Sequence, residues 1–161
     1  MKLSSKGRYA VMAMVDLAYT TRTSATLRPI PLADIASRQE ISLSYLEQLF
    51  GRLRRGGLVR SVRGPGGGYL LARPAAQIRV ADVVLAVDEP IKATRCKEGS
   101  PRGCLNKTGR CLTHDLWEEL GHQIRVYLSG VSLEDVCARQ VQPKAWPYGA
   151  ETPLPPAIAA Q

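Results

Sequence analysis

The run Gly64-Pro-Gly-Gly-Gly68 constrains this chain more than any other five residues. Its glycines permit positive φ and close approach of the backbone to a partner, and proline lacks the donor that a helix or strand would need. The segment must therefore be a turn. It is flanked by Leu58-Val-Arg-Ser-Val-Arg63 and Tyr69-Leu-Leu-Ala-Arg73, which read as two short strands, so residues 58–73 form a β-hairpin with a basic tip almost free of side chains.

The residues before the hairpin are helical. Residues 4–20 place Tyr9, Met12, Val15 and Tyr19 at helical spacing, with Ser4 or Ser5 as cap, until the polar stretch up to Pro29 and Pro31 breaks the pattern. A short helix at Leu32–Ser37, a turn at Gln39-Glu40 and a longer helix over residues 42–55 follow. In that longer helix Leu46, Leu49, Phe50 and Leu53 share one face, Ser44 and Glu47 fit a capping box, and Gly56-Gly57 is the stop. Helix, tight turn, helix and Gly-rich hairpin together make a winged helix-turn-helix. The expected fold is mainly α with a small β-hairpin wing and, beyond it, a long C-terminal helix.

Charge assigns a partner to the first half. Residues 1–74 hold 12 Lys/Arg against 4 Asp/Glu, whereas residues 75–161 hold 10 against 10, so the whole formal charge of +8 lies with the winged module. A basic module of this form binds double-stranded DNA, the second helix entering the major groove and the wing reaching phosphates or the minor groove. The candidate contacts are Lys6, Ser42, Ser44, Tyr45, Glu47, Gln48, Arg52, Arg63, Gly64, Gly66 and Gly67. Small hydroxyl side chains permit close approach, Gln48 can pair with adenine or a phosphate, and Arg63 suits a narrow minor groove. Each has a plainer reading: Ser44 and Glu47 as a cap only, Arg52 with Arg54 and Arg55 as a solvated face. Glu47 is unfavourable near phosphates unless it accepts from cytosine or faces a gap, which makes it a candidate for selectivity.

The other chemistry lies between Cys96 and His114, spaced Cys96-x7-Cys104-x6-Cys111-x2-His114. Three thiolates and an imidazole suit zinc or an iron-sulfur cluster. Zinc knuckles usually pair cysteines two to four residues apart, so the wide spacing here favours a cluster; zinc, or a disulfide switch among the three cysteines, stays open as an alternative. Lys92, Arg95, Lys97, Arg102, Lys107 and Arg110 surround the ligands and favour thiolates. A short helix at Val80–Val87 precedes this loop. After it, Trp117, Leu120, Ile124, Leu128 and Val131 announce a long amphipathic helix beginning near His114, and Ser132-Leu-Glu-Asp135 a capping box opening a last short helix. Cys137 and His122 read as packing or surface residues. Five of the 19 residues from Pro143 onward are proline, which predicts a disordered tail.

The organisation expected is a winged helix-turn-helix domain over residues 1–91, a cluster loop over 92–112, a dimerisation helix with its short follower over 113–142 and the tail over 143–161. The apolar run after Lys2, Lys6 and Arg8 is interrupted early by Asp16, and no segment approaches a membrane span, so the expected location is the cytoplasm, at the nucleoid when DNA-bound, with no membrane partner. An iron-sulfur electron carrier would need neither the wing nor a one-sided charge.

Four motifs in this order, Leu3-Ser-Ser-Lys-Gly-Arg-Tyr-Ala-Val11, Ile41-Ser-Leu-Ser-Tyr-Leu-Glu-Gln-Leu-Phe50, Ser61-Val-Arg-Gly-Pro-Gly-Gly-Gly-Tyr-Leu-Leu71 and Cys111-Leu-Thr-His114, closely resemble the IscR family of bacterial winged-helix iron-sulfur regulators, up to about residue 136. The resemblance implies a homodimer formed through the helix after His114, a 2Fe-2S cluster held by Cys96, Cys104, Cys111 and His114, palindromic or pseudo-palindromic operators, and control of iron-sulfur assembly genes by a protein that is not an enzyme. Members that sense nitric oxide or cysteine status lack the Cys-x2-His pair, so His114 points to the cluster-assembly branch. The gaps of seven and six are slightly longer than the family's, and the tail is not covered.

Overall fold

The computed structural model describes residues 5–23, 28–88 and 111–141; Cys96, Cys104, the basic loop and the Pro-rich tail lie outside the described residues. In chain order the elements are α1 (Ser5–Thr23), α2 (Leu32–Gln39), α3 (Leu43–Arg55), β1 (Val59–Val62), β2 (Gly68–Leu71), a 3-10 turn (Ala75–Gln77), α4 (Val80–Ala86), α5 (His114–Gly130) and α6 (Leu133–Cys137). The described chain is mainly helical, with one antiparallel hairpin pairing Val59 with Leu71 and Val62 with Gly68. It is the expected winged fold.

Helix α1 is the central post, packed against α2, α3, β2, α4 and α6. The residues whose spacing announces it are not its buried face: Met12 and Tyr19 are exposed and Tyr9 and Val15 half-buried, while Gly7, Ala10, Ala13, Met14, Leu17 and Ala18 are buried. A helix surrounded on most sides needs small residues for close approach, and the larger side chains are left to its flanks. Leu32, Ile35, Leu46, Leu49, Phe50 and Leu53 complete the core from α2 and α3.

One polar group is buried among them. The Asp16 side chain, 6% exposed, accepts from Arg38 Nη2 at 2.6 Å, from Arg38 Nε at 3.1 and 3.2 Å, and from Gln39 Nε2 at 2.7 Å. The carboxylate holds Arg38 above the ordinary arginine pKa through this hydrogen bond, against the cost of burial. The clasp ties α1 to the end of α2, beside Glu40, whose left-handed φ of 53° makes the turn into α3.

The hairpin has a third partner. Ile30 N–H donates to Tyr69 O at 2.9 Å and Tyr69 N–H donates to Ile30 O at 2.8 Å. Pro29 and Pro31 on either side cost the bridge no donor, because in an antiparallel pairing the residues flanking a hydrogen-bonded pair turn their backbone groups away from the partner strand. Behind α5, Val80 N–H donates to Val131 O at 2.9 Å and Leu133 N–H to Ile78 O at 3.0 Å, so the chain returns to the winged module and seats fully buried Leu133 in its core. The capping box of Ser132 and Asp135 forms as read, with Asp135 N–H on Ser132 Oγ at 3.1 Å and Ser132 N–H on Asp135 Oδ2 at 2.9 Å.

Candidate nucleic-acid interface and cluster ligands

Helix α3 buries Leu46, Leu49, Phe50 and Leu53 and exposes Ser44, Glu47, Gln48, Arg54 and Arg55. Its N-cap is Ser42, whose hydroxyl accepts from Tyr45 N–H at 3.4 Å. The capping box expected of Ser44 and Glu47 does not form, because the left-handed residue Glu40 starts the helix earlier and leaves both inside the first turns. Glu47 is thereby free of a capping duty and stands exposed on the helix. At the other end Gly57, at φ 69°, closes a Schellman motif: Leu58 N–H donates to Leu53 O and Gly57 N–H to Arg54 O, each at 3.0 Å.

Tyr45 is half-buried, its ring edge-on to Tyr9 at 6.0 Å. That contact brings the start of α1, with half-exposed Lys6, beside the first turn of α3. Arg54 Nη1 donates to Ser61 Oγ at 3.4 Å, joining α3 to the wing. Arg52 is differently placed from its neighbours: its Nη1 donates to the carboxylate of Asp88 and to Val87 O at 3.4 Å, at the end of α4.

At the wing tip Gly67 N–H donates to Gly64 O at 2.9 Å with Pro65 and Gly66 (φ 71°) between them, the pattern of a type II turn. A Cβ on Gly67 would stand 2.5 Å from Val62 O, and one on Gly68 2.4 Å from the Ile30 carbonyl. The tip is thus stripped of side chains by packing as well as by φ, and Arg63 beside it is exposed. Lys6, Ser42, Ser44, Glu47, Gln48, Arg63 and the tip glycines all carry accessible surface; Tyr45 and Arg52 are each half committed to intramolecular contacts.

Of the four ligands expected for a cluster, Cys111 and His114 are described. They lie at the two ends of the turn that leads into α5, where His114 N–H donates to Cys111 O at 3.0 Å. The Cys111 thiol is half-exposed and 3.6 Å from Thr113 Oγ1; His114 is 6% exposed, its Nε2 3.6 Å from Glu118 Oε2. A thiol and an imidazole on one turn, at the positive end of a 17-residue helix, fit one edge of a thiolate-bound cluster. The spacing also brings His114, Asp115 and Glu118 together, their ligand atoms within 4.8 Å of one another, a nitrogen-and-oxygen set that shares His114 with the thiolate set. Its signal in the sequence is the i, i+1, i+4 spacing on a helix. Cys137 is half-buried, its thiol raised in pKa chiefly by burial, and His122 is exposed.

Among the described residues no helix is long and apolar enough to cross a membrane. Comparison with known proteins agrees with the geometry. The chain is 56% identical over 142 residues to the HTH-type transcriptional regulator IscR of Xenorhabdus nematophila, covering 87% of this chain and 81% of that one. It is 54% identical over 142 residues to IscR of Serratia proteamaculans, with the same coverage of 87% and 81%. Among solved structures, T. potens IscR superposes with a TM-score of 0.67 at 34% identity over 86% of this chain and 88% of that one. CymR, the global cysteine regulator of B. subtilis, superposes at 0.68 and 30% identity over 86% and 98%. The Rrf2 family profile, described as iron-dependent transcriptional regulator, matches residues 3–139. A winged helix with an exposed basic reading surface, related over most of its length to proteins named as transcriptional regulators, is accounted for in one way: the chain belongs to the Rrf2 family of DNA-binding transcriptional regulators.

Proposed function

We propose that this regulator is a homodimer that reads iron-sulfur supply through a 2Fe-2S cluster held by Cys96, Cys104, Cys111 and His114, and controls iron-sulfur assembly genes. The observation that carries the reading is α5 itself. The turn that leads into it pairs a thiol with a buried imidazole at its first residue, and the helix exposes an apolar surface: Leu116 is 62% exposed, Trp117 44%, Leu120 38%, Val126 52% and Tyr127 37%. Apolar surface of that extent on one helix is usually covered by a partner, and a second copy of this chain covers it with two-fold symmetry.

Such a dimer offers two α3 helices to successive major grooves, ~34 Å apart, and so binds palindromic or pseudo-palindromic sites. When bound, the cluster supplies an inorganic centre whose occupancy follows iron and sulfide supply. The chain's own residues do the rest: His114 contributes a neutral ligand, the start of α5 offsets thiolate charge, and Val131 to Leu133 carry any displacement of α5 back into the core beneath α3. Glu47, exposed on α3, is the residue that makes operator choice depend on how α3 is seated, since its carboxylate is tolerated only where a cytosine donor or a gap receives it.

Anaerobic purification with visible absorption and iron and sulfide analysis tests the cofactor. Two irons and two sulfides per chain are expected, with an iron-sulfur spectrum; a colourless protein containing zinc refutes the cluster and leaves DNA binding intact. Glu47→Ala should widen the set of operators bound by the cluster-free protein. Uniform loss of affinity across all sequences would instead assign Glu47 to the fold.

A further inference from the structure

Arg52 was expected among the DNA contacts, yet it points elsewhere. At ~100° per residue, Ser44, Gln48 and Arg55 fall within an arc of roughly 40° on α3, while Arg52 lies to one side, on the edge shared with half-buried Tyr45 and facing α4. There its Nη1 donates both to the Asp88 carboxylate and to Val87 O. The placement of Asp88 is built in two ways. Its φ is 56°, a left-handed conformation that Asp and Asn tolerate better than most residues. The ends of the two helices are also packed closely, since a Cβ on Gly56 would meet Ala86 Cβ at 3.0 Å. The carboxylate is thus held where the arginine of a reading helix will find it, and its side chain is 76% exposed, open to the same solvent a DNA backbone would enter.

We propose that Asp88 is an intramolecular competitor of DNA phosphate for Arg52, a specificity-setting contact that lowers affinity for arbitrary duplex DNA. A phosphate can take Arg52 only by displacing a carboxylate of like charge. Because phosphate contacts carry no base information, occupying this arginine internally subtracts from non-specific binding and leaves base reading by the centre of α3 untouched. The ratio of specific to non-specific binding rises accordingly. The proposal rests on the DNA-binding role of α3 and needs no cluster.

The test is a double-mutant cycle on the full chain: wild type, Asp88→Asn, Arg52→Ala and the double variant, each titrated with a random-sequence duplex of about 30 base pairs, enough for two half-sites one turn apart. Asn keeps the left-handed backbone, and Asp88→Gly, which also permits that φ, should reproduce it. Freeing one phosphate contact steepens the salt dependence by about one counterion, so Asp88→Asn should bind more tightly than wild type and lose about threefold more affinity between ~50 and ~200 mM salt. In the Arg52→Ala background Asp88→Asn should change neither. Weaker binding by Asp88→Asn would overturn the proposal, showing that Asp88 presents Arg52 to DNA. An equal gain with and without Arg52 would overturn it too, reducing Asp88 to a general negative charge. A wild-type chain that binds no duplex would refute the regulator reading itself, a result distinct from either.

Discussion

Replacing Arg38 should destabilise the protein more than replacing Asp16, although Asp16 makes one bond more, to Gln39. Asp16 is buried and accepts from two side chains, whereas Arg38 retains 42% of its side-chain exposure. Asp16→Asn leaves a neutral amide beside a guanidinium that water can reach, so the loss is that of charge-assisted hydrogen bonds partly repaid by solvent, about 1–2 kcal/mol. Arg38→Ala strands a buried carboxylate with Gln39 alone, and breaking a buried pair from that side costs about 3–5 kcal/mol, taken here at about 3 because the pair is open at one end. The Asp16→Leu/Arg38→Met double variant, which removes both charges, should recover most of that loss. Urea unfolding followed by far-UV circular dichroism measures all three, and 3 kcal/mol corresponds to roughly 10 °C in Tm for a chain of this size. Since the Arg38 pKa is raised, the stability it brings is complete below the ordinary arginine range and lost only as pH rises through the elevated value, so the Arg38→Ala deficit should be flat across neutral pH. An Arg38→Ala loss smaller than that of Asp16→Asn would refute the reasoning from unequal burial, and losses under ~0.5 kcal/mol in both would show that the clasp does not hold α2 to α1.

Two glycines should respond in opposite directions to alanine. Gly68→Ala drives a Cβ against the Ile30 backbone, which cannot yield without losing the bridge to Tyr69, and should cost about 2–3 kcal/mol; Gly51→Ala, within α3 and with open space around its Cβ, should gain about 0.8 kcal/mol, both read by chemical denaturation. If His114 holds the proposed cluster, His114→Cys exchanges a neutral ligand for an anionic one and should lower the reduction potential on the order of 100 mV in spectroelectrochemical titration. An unchanged potential would remove His114 from the ligand set.

Whatever depends on neighbours along the chain was legible in the residues. Helical periodicity announced α1, α3 and α5, the Gly-rich run from Gly64 the turn, though its last glycine, Gly68, opens β2, Gly56-Gly57 the end of α3, Ser132 and Asp135 the cap of α6, and the run of motifs the family, because turns, caps and amphipathic faces are set by dihedral preferences and spacings of three or four residues. Where the local rule offered two answers, as with Ser42 and Ser44 for the cap of α3, the choice fell to the left-handed turn at Glu40 before it. The face of α1 was invisible locally, since small residues are buried only when several elements crowd one helix. The partners brought together from afar were equally so: Asp16 meets Arg38 across 22 positions, Arg52 meets Asp88 across 36, and Ile30 pairs with Tyr69 between two prolines. Charge and residue type marked Arg52 for DNA and Cys111 and His114 for a cofactor. Only the packing of α3 on α4 decided that Arg52 already has a carboxylate to hold, because an ion pair between distant residues exists only once the core has fixed the distance between them.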